Sequence, residues 1–266
     1  MDSVRKIRAR VIARFRSQFP ELYSKLPAFV ELTRANKPIG IYLLLWPTLT
    51  ALWIASEGWP GWHLLLVFTL GTVLTRSAGC IVNDLADMKF DGNVKRTRNR
   101  PLISGQVASL EALLLAGCIA FVALLLVLTT NIYTVYMSVF AVIIAVIYPF
   151  MKRYTYLPQA FLGIAFSWGI PMTFTAVSNE IANVAWLLLI ANLLWVVAYD
   201  TQYAMVDRDD DLRIGMKTSA ITLGKYDVAA VMGFYVVYLL GMLLLLKPLN
   251  LGWPHWFSIE IAAVQA

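Results

Sequence analysis

Two clusters of carboxylates stand at the ends of apolar segments of this sequence. In the first cluster Asn83, Asp87 and Asp91 recur every four residues, and Asp84 lies beside them. On a helix that spacing places the side chains on one face. Carboxylates are unfavourable close to hydrocarbon, so a chain that keeps them there in a regular pattern typically uses them.

The second cluster repeats this arrangement further along the chain. Asp200, Tyr203, Asp207 and Asp211 follow one another in steps of three, four and four, which again form one helical stripe. Two facing stripes of carboxylate oxygens suit Mg²⁺, which takes one or two carboxylates and completes its octahedron with waters and phosphate oxygens. The sequence therefore predicts an Mg²⁺–diphosphate site. Its predicted metal ligands are Asp87, Asp91, Asp207 and Asp211, with Asn83 and Asp84 as further candidates.

Basic side chains accompany both acidic clusters. Arginine forks match the oxygens of phosphates and carboxylates in pairs, and lysine adds a compact positive charge. Acidic residues alone would suggest a path for cations, whereas acidic and basic residues together favour a metal–diphosphate complex. The predicted substrate-binding residues are Asn83, Asp84, Lys95, Arg100, Lys152, Asp200, Tyr203 and Arg34. For Lys95 and its basic neighbours the alternative is a role in membrane orientation alone.

The composition is that of a polytopic membrane protein. Hydrophobic residues make up 59% of the chain and charged residues only 14%, against about a quarter charged in soluble domains. Apolar stretches cover residues 39–56, 62–82, 107–129, 132–150, 157–177, 184–199 and 228–246, and an eighth begins near 253 and is cut short at 266. A spanning helix needs about 20 such residues, so we expect an all-α transmembrane bundle of about eight spans.

Lysine and arginine are distributed unevenly between the loops. They concentrate in residues 1–38, 83–105, 152–153 and 208–225, and they are absent from the loops 57–61, 130–131 and 178–183. The positive-inside rule then places the amino terminus and both acidic clusters in the cytoplasm. Because the basic residues lie between apolar spans, the net charge of +6 indicates orientation signals and anionic-lipid contacts, not nucleic-acid binding. Arg76 differs, since it falls inside the second apolar stretch, where a lone charge rarely sits without a partner.

The chain divides into two parts. Residues 1–38 carry basic side chains interleaved with apolar ones, which predicts an amphipathic arm at the cytoplasmic membrane interface. A mitochondrial targeting segment is the alternative, because residues 1–19 are rich in arginine and nearly free of acids. Residues 39–266 are predicted to form the transmembrane domain.

The motifs resemble those of a known family. NDxxDxxxD at 83–91, followed by NRPL at 99–102, is similar to the intramembrane aromatic prenyltransferase family, and so is YDxxYAxxDxxxD at 199–211. The segments KPIG at 37–40, LLWPT at 44–48 and YPFMKRY at 148–154 resemble its 4-hydroxybenzoate polyprenyltransferase branch, which acts in bacterial ubiquinone biosynthesis. The resemblance covers roughly residues 34–260.

This resemblance implies a fold and an activity. The family expectation is nine transmembrane helices around a central cavity, with both Asp motifs at its cytoplasmic mouth. The implied reaction is Mg²⁺-dependent transfer of a polyprenyl group from polyprenyl diphosphate to the ring carbon ortho to the phenol of 4-hydroxybenzoate. Arg153 is implied as a catalytic clamp for a carboxylate or the diphosphate. The implied location is the bilayer of the bacterial inner membrane, or of the mitochondrial inner membrane in a eukaryote.

Three alternatives remain at this point. The same fold can serve another acceptor, such as homogentisate, a naphthoate or haem. A cation transporter could use the Asp stripes as an ion path. Against this alternative, the acidic residues lie at one mouth only and few lie at mid-membrane. A non-catalytic lipid-binding protein would need neither stripe.

Overall fold

The structure is a computed structural model that describes residues 5, 13–14, 16–92, 97–245 and 260. Every regular element within those residues is helical. The helices are α1 (Pro20–Leu32), α2 (Ile39–Ala55), α3 (Gly61–Asp91), α4 (Ser109–Val127), α5 (Ile132–Tyr154), α6 (Pro158–Ser167), α7 (Gly169–Ser178), α8 (Asn183–Ile214), α9 (Ser219–Leu223) and α10 (Asp227–Leu244), with a 3₁₀ turn at Gly224–Tyr226.

Six helical segments of the described chain are long and apolar enough to cross a membrane: Gly61–Lys89, α4, α5, Pro158–Ser178, α8 and Ser219–Leu244. The shorter apolar helix α2 joins them, so seven of the predicted stretches are helical. The all-α membrane bundle is thereby confirmed, whereas the eighth stretch lies outside the described residues. The apolar window of α8 is 50% buried and that of α5 only 11%, so α8 is central, whereas most of α5 lies on the outer surface of the described bundle.

The stretch predicted at 157–177 is not one continuous helix. It consists of α6 and α7, which meet at Trp168. Pro171 has no backbone N–H to donate to the carbonyl of Ser167, so the hydrogen-bond ladder is interrupted there. Gly169 lies so close to α2 that a β-carbon would come within 2.5 Å of Thr48 Oγ1. A larger residue would therefore separate α7 from α2.

An apolar cluster fixes α1 and the loop after α3 against the bundle. Its buried members are Ala28, Leu32, Ile81, Leu102, Val107, Ala112 and Ala116, which come from α1, α3, the 97–108 segment and α4. Leu32 is fully buried, and truncating such a leucine typically destabilises a fold by about 2–5 kcal/mol. This cluster holds the two segments that carry Arg34 and Arg100 beside the carboxyl-terminal end of α3.

The amino-terminal arm contains α1. Lys25 Nζ lies 2.5 Å from Glu111 Oε1 on α4, and Glu111 also accepts the amide of Ala108 at 2.9 Å, which caps α4. Phe19, Leu22 and Leu26 stay exposed, as an interfacial helix would require. The boundary at residue 38 and the arm's contact with a membrane surface remain predictions.

Candidate active site

The first acidic stripe lies on one continuous helix. Because α3 extends to Asp91, its last two turns carry Asp84, Asp87 and Asp91 on the inner side of the bundle. These residues are 2%, 4% and 7% exposed. Buried carboxylates are strongly unfavourable unless they are paired with cations or hydrogen-bond donors. The neighbouring segments must therefore supply positive charge.

Two arginines supply part of it. Arg34 Nη2 donates to both carboxylate oxygens of Asp84, at 2.9 and 2.8 Å. Arg100 Nη1 donates to Asp84 Oδ1 at 2.9 Å and also to Asp91 Oδ2. One chain of ion pairs thus links Arg34, Asp84, Arg100 and Asp91. Both arginines belong to the predicted binding set, and the structure brings them onto the first stripe.

The end of α5 supplies a third cation. Lys152 Nζ donates to Asp87 Oδ2 at 3.2 Å. The predicted clamp residue Arg153 donates to the backbone oxygen of Ala86 at 2.7 Å, and its guanidinium lies 5.3 Å from the Phe150 ring centroid. One turn earlier on α5, Tyr148 Oη donates to Asn83 Oδ1 at 2.8 Å. These contacts hold the end of α5 along the acidic face of α3.

The second stripe lies at the same end of the bundle. Asp200 on α8 interacts electrostatically with both Lys152 and Tyr148 of α5. Beyond α8, the amide of Lys217 donates to the carbonyl of Lys152 at 3.1 Å. Both acidic clusters therefore lie near the carboxyl-terminal end of α5.

The members of the second stripe differ in exposure. Asp200, Asp207 and Asp211 are half-buried, whereas Tyr203 is 57% exposed. The roles predicted for these four residues remain predictions. Lys95 lies outside the described residues.

Asp227, which is not among the predicted site residues, links α8 to the start of α10. It pairs through Oδ2 with Arg208 Nη2, which follows Asp207 on α8. Its Oδ1 accepts the amide of Val228 at 2.6 Å at the start of α10. Arg208 therefore ties the second stripe to α10. The pairing was hidden in the sequence, because only the packing of α8 against α10 brings these two residues together.

Arg76 is a further site residue that the motifs alone do not identify. It precedes Asn83 by seven residues, which is two helical turns, so it shares the inner face of α3 with the first stripe. Its Nε donates to the carbonyl of Gly40 at 3.3 Å, its Nη1 contacts Cys80 Sγ, and its guanidinium lies 6.0 Å from the Phe166 ring centroid. Within the described chain no carboxylate lies within 4.0 Å of it. The one sequence signal for this residue is a lone charge in an apolar span.

Gly40 makes room for that guanidinium. A β-carbon at this position would stand 2.7 Å from Arg76 Nη2 and 3.0 Å from Nε. Any side chain on Gly40 would thus displace the arginine. The close approach of α2 fixes the direction of the Arg76 charge.

The donor set of the first stripe fits a magnesium ion. Asp87 Oδ1 is buried and has no hydrogen-bond partner within the part of the chain that the structure describes, so this hard oxygen is open to a ligand. Among the described residues no group of three or more His, Cys, Asp or Glu side chains is arranged so that it could hold a metal ion without further ligands. Mg²⁺ is typically held by one or two carboxylates together with substrate phosphates, and Asp87 with Asp91 meets that requirement.

Comparison with known sequences assigns a family. Residues 44–265 match the UbiA prenyltransferase family. The 4-hydroxybenzoate octaprenyltransferase of Polaromonas sp. is 58% identical over 245 residues, covering 92% of this chain and 86% of that protein. The enzyme of the same name from Acidovorax ebreus is 55% identical over 242 residues, covering 91% and 83%.

Solved structures show the same fold. The apo structure of a UbiA homolog from Aeropyrum pernix K1 matches with a TM-score of 0.76 at 26% identity, covering 85% of this chain and 84% of that one. A UbiA homolog from Archaeoglobus fulgidus, bound to GPP and Mg²⁺, has the same fold with a TM-score of 0.69 at 14% identity, covering 90% and 84%. The prenyltransferase resemblance of the two Asp motifs is confirmed: the chain belongs to the UbiA prenyltransferase family.

Proposed function

We propose that this protein transfers a polyprenyl group from polyprenyl diphosphate to the ring carbon ortho to the phenol of 4-hydroxybenzoate, a step of ubiquinone biosynthesis. The observation that carries the proposal is the set of buried carboxylates Asp84, Asp87 and Asp91, held with Arg34, Arg100 and Lys152 at one end of a membrane bundle. The identity with proteins named 4-hydroxybenzoate octaprenyltransferase supports the acceptor.

The cations of the site would bind the diphosphate. Arg34, Arg100 and Lys152 already lie within hydrogen-bond reach of the first stripe, so phosphate oxygens brought there meet three positive charges. Asp87, Asp91, Asp207 and Asp211 would hold Mg²⁺, and Asn83 and Asp84 would orient these groups. When bound, the metal neutralises negative charge on the departing diphosphate. The arginines and the lysine add to that neutralisation as the allylic C–O bond breaks.

The acceptor would lie deeper in the bundle. Arg76 is a cation on the same face of α3, two turns toward the membrane from Asn83, and no carboxylate of the described residues lies within 4.0 Å of it. Arg76 is half-buried, and the carboxylate that stabilises its charge, Asp84, acts only at longer range. The carboxylate of 4-hydroxybenzoate would supply a direct ion-pair partner. This placement turns the phenol end of the ring toward the acidic clusters. The electron-rich ortho carbon then attacks the prenyl C1, and the ring proton leaves to the diphosphate or to an Asp carboxylate.

The proposal is tested with purified protein in detergent micelles containing Mg²⁺ and radiolabelled octaprenyl diphosphate. We expect a lipid-extractable prenylated product with 4-hydroxybenzoate and much less with homogentisate, a naphthoate or haem. A preference for one of those acceptors would change the proposed substrate. Absence of transfer to every acceptor, together with cation flux into reconstituted vesicles, would favour the transporter instead.

We propose that the active site faces the cytoplasm of the bacterial inner membrane. Single cysteines replace Arg98, Arg213 or Glu180, which are exposed, in a background where Cys80 and Cys118 are changed to Ala. Because the basic loops stay inside, an impermeant maleimide should label position 180 in intact spheroplasts and positions 98 and 213 only in inverted vesicles. Labelling of 98 and 213 from opposite sides would refute a shared cytoplasmic mouth.

Arg76 and Arg153 are expected to act on different substrates. Arg76→Met keeps the length of the side chain and removes its charge, so the KM for 4-hydroxybenzoate should rise about tenfold or more, as for a lost hydrogen bond to a charged group. The KM for the prenyl diphosphate should change little. Arg153→Ala should raise the KM for the diphosphate, because Arg153 stands beside Ala86, next to Asp87.

Steady-state kinetics with each substrate varied in turn measures both effects. Arg213→Met is the matched control, since this exposed arginine pairs only weakly with Asp210, at 3.7 Å. A rise in the KM for 4-hydroxybenzoate in the Arg153 variant alone would transfer the carboxylate clamp to Arg153. Unchanged kinetics for both substrates would leave Arg153 as an orientation residue.

A further inference from the structure

Two tyrosines from other helices lie within electrostatic range of Arg76. Both Tyr148 of α5 and Tyr199 of α8 interact electrostatically with its guanidinium. The hydroxyl of Tyr148 already has a hydrogen-bond partner, because it donates to Asn83 Oδ1 at 2.8 Å. The hydroxyl of Tyr199 is buried and has no hydrogen-bond partner within residues 16–92 and 97–245 or the other described positions.

A buried phenolic hydroxyl without a partner is unusual, because native proteins pair nearly all buried polar groups. The position of Tyr199 is nevertheless well defined. Its ring packs edge-on against Trp195 with 5.1 Å between centroids, and Trp195 in turn contacts the ring of Tyr238 on α10. Tyr199 lies one helical turn after Trp195 on α8, and these aromatic contacts hold its ring in place. The open hydrogen bond is therefore available to a ligand.

The chemistry around this hydroxyl specifies what the ligand offers. Tyr199 can donate one O–H, and Arg76, with which it interacts electrostatically, offers further N–H donors. Among the proposed substrates both the carboxylate and the diphosphate offer anionic acceptors for such donors, and the proposed function already assigns the diphosphate to the acidic clusters, which leaves the carboxylate. Asp200, the neighbour of Tyr199, interacts electrostatically with Tyr199 as well as with Lys152 and Tyr148, so Tyr199 lies within electrostatic range of both Arg76 and the second acidic cluster.

We infer that Tyr199 Oη donates a hydrogen bond to the carboxylate of the aromatic acceptor, beside Arg76, and thereby helps the enzyme to select acceptors that carry a carboxylate. The inference rests on the proposed function. A site built to hydrogen-bond a substrate group rejects analogues that lack it, because its own polar groups are then left unpaired. Arg76 provides the charge, and Tyr199 adds a second donor that fixes the orientation of the ring.

The test is Tyr199→Phe, which removes one oxygen atom and keeps the ring against Trp195. Tyr238→Phe is the matched control, because it makes the same change in the same aromatic group, and Tyr238 has no resolved charge interaction. We expect the KM for 4-hydroxybenzoate to rise about tenfold in the Tyr199 variant only, the size of one lost hydrogen bond to a charged group. The KM for the prenyl diphosphate should stay unchanged.

Two competitive inhibitors identify the substrate group that Tyr199 contacts. Benzoate keeps the carboxylate and lacks the phenol, whereas phenol keeps the hydroxyl and lacks the carboxylate. Tyr199→Phe should weaken inhibition by benzoate about tenfold and leave inhibition by phenol unchanged. Equilibrium binding of radiolabelled 4-hydroxybenzoate to the purified variant gives the same comparison without turnover.

The outcomes separate this inference from the proposed function. If the wild-type protein transfers no prenyl group to 4-hydroxybenzoate, the proposed function fails. If it does and the Tyr199 variant binds benzoate normally, the inference alone is wrong. If Tyr199→Phe weakens inhibition by phenol and leaves inhibition by benzoate unchanged, Tyr199 contacts the phenol end of the substrate and the inference is overturned. Equal losses for both inhibitors with a lowered thermal midpoint would make Tyr199 a purely structural residue.

Discussion

Asp87→Asn and Asp207→Asn should each lower prenyl transfer by at least about 100-fold, the usual size of the loss when a group that stabilises transition-state charge is removed. Asparagine keeps the size and polarity of the side chain and removes the anionic ligand. At Asp87 the change also takes the carboxylate from Lys152, which lies 3.2 Å away. Initial rates under saturating substrates, with 4-hydroxybenzoate as acceptor, measure the loss.

The double variant tests whether the two stripes act together. Groups that work as one unit are strongly non-additive, so Asp87→Asn with Asp207→Asn should be scarcely slower than either single variant. Asp209→Asn is the matched control on α8, because Asp209 is exposed and lies off the stripe. Thermal unfolding in micelles checks that all variants fold. A near-wild-type Asp207 variant would remove the second stripe from catalysis, and multiplicative losses would indicate two independent roles.

Removal of divalent metal should abolish the reaction altogether. Lys152 and Arg100 already pair with the buried carboxylates of Asp87 and Asp91, so the further negative charge of a diphosphate requires additional positive charge, which Mg²⁺ would supply. Treatment with EDTA should therefore reduce transfer to background, and excess Mg²⁺ should restore it. Binding of the radiolabelled prenyl diphosphate, measured in parallel, should fall with the chelator and recover with Mg²⁺. Full activity in the presence of chelator would refute the metal-dependent mechanism.

The local features of this protein could be read from its sequence. Seven apolar stretches predicted the helical spans, because apolar content is a property of each segment by itself. The first stripe followed from the repeat of Asn83, Asp87 and Asp91 every four residues, which a helix converts into one face. The division of the stretch 157–177 into two helices at Trp168 does not follow from its hydropathy, because the stretch is apolar throughout. Pro171 is the sequence signal for this break.

Long-range partners were decided by the tertiary structure alone. Arg34 meets Asp84 from 50 residues away, and Lys152 meets Asp87 from 65 residues away. Many basic residues on the same side of the membrane satisfied the charge pattern equally well, so sequence reasoning could name the candidates and could not assign each cation to its carboxylate.

The acceptor end of the site depends most on packing. Arg76 was visible in the sequence as an unexplained charge in an apolar span. Its orientation follows from Gly40 on another helix, where a β-carbon would collide with the guanidinium. The open hydroxyl of Tyr199 was not visible at all, because a missing hydrogen-bond partner is a property of the surroundings and not of the residue. The sequence thus determined the spans and the acidic stripes through local periodicity, and the packing of α2, α3, α5 and α8 determined which charged and polar groups face one another between them.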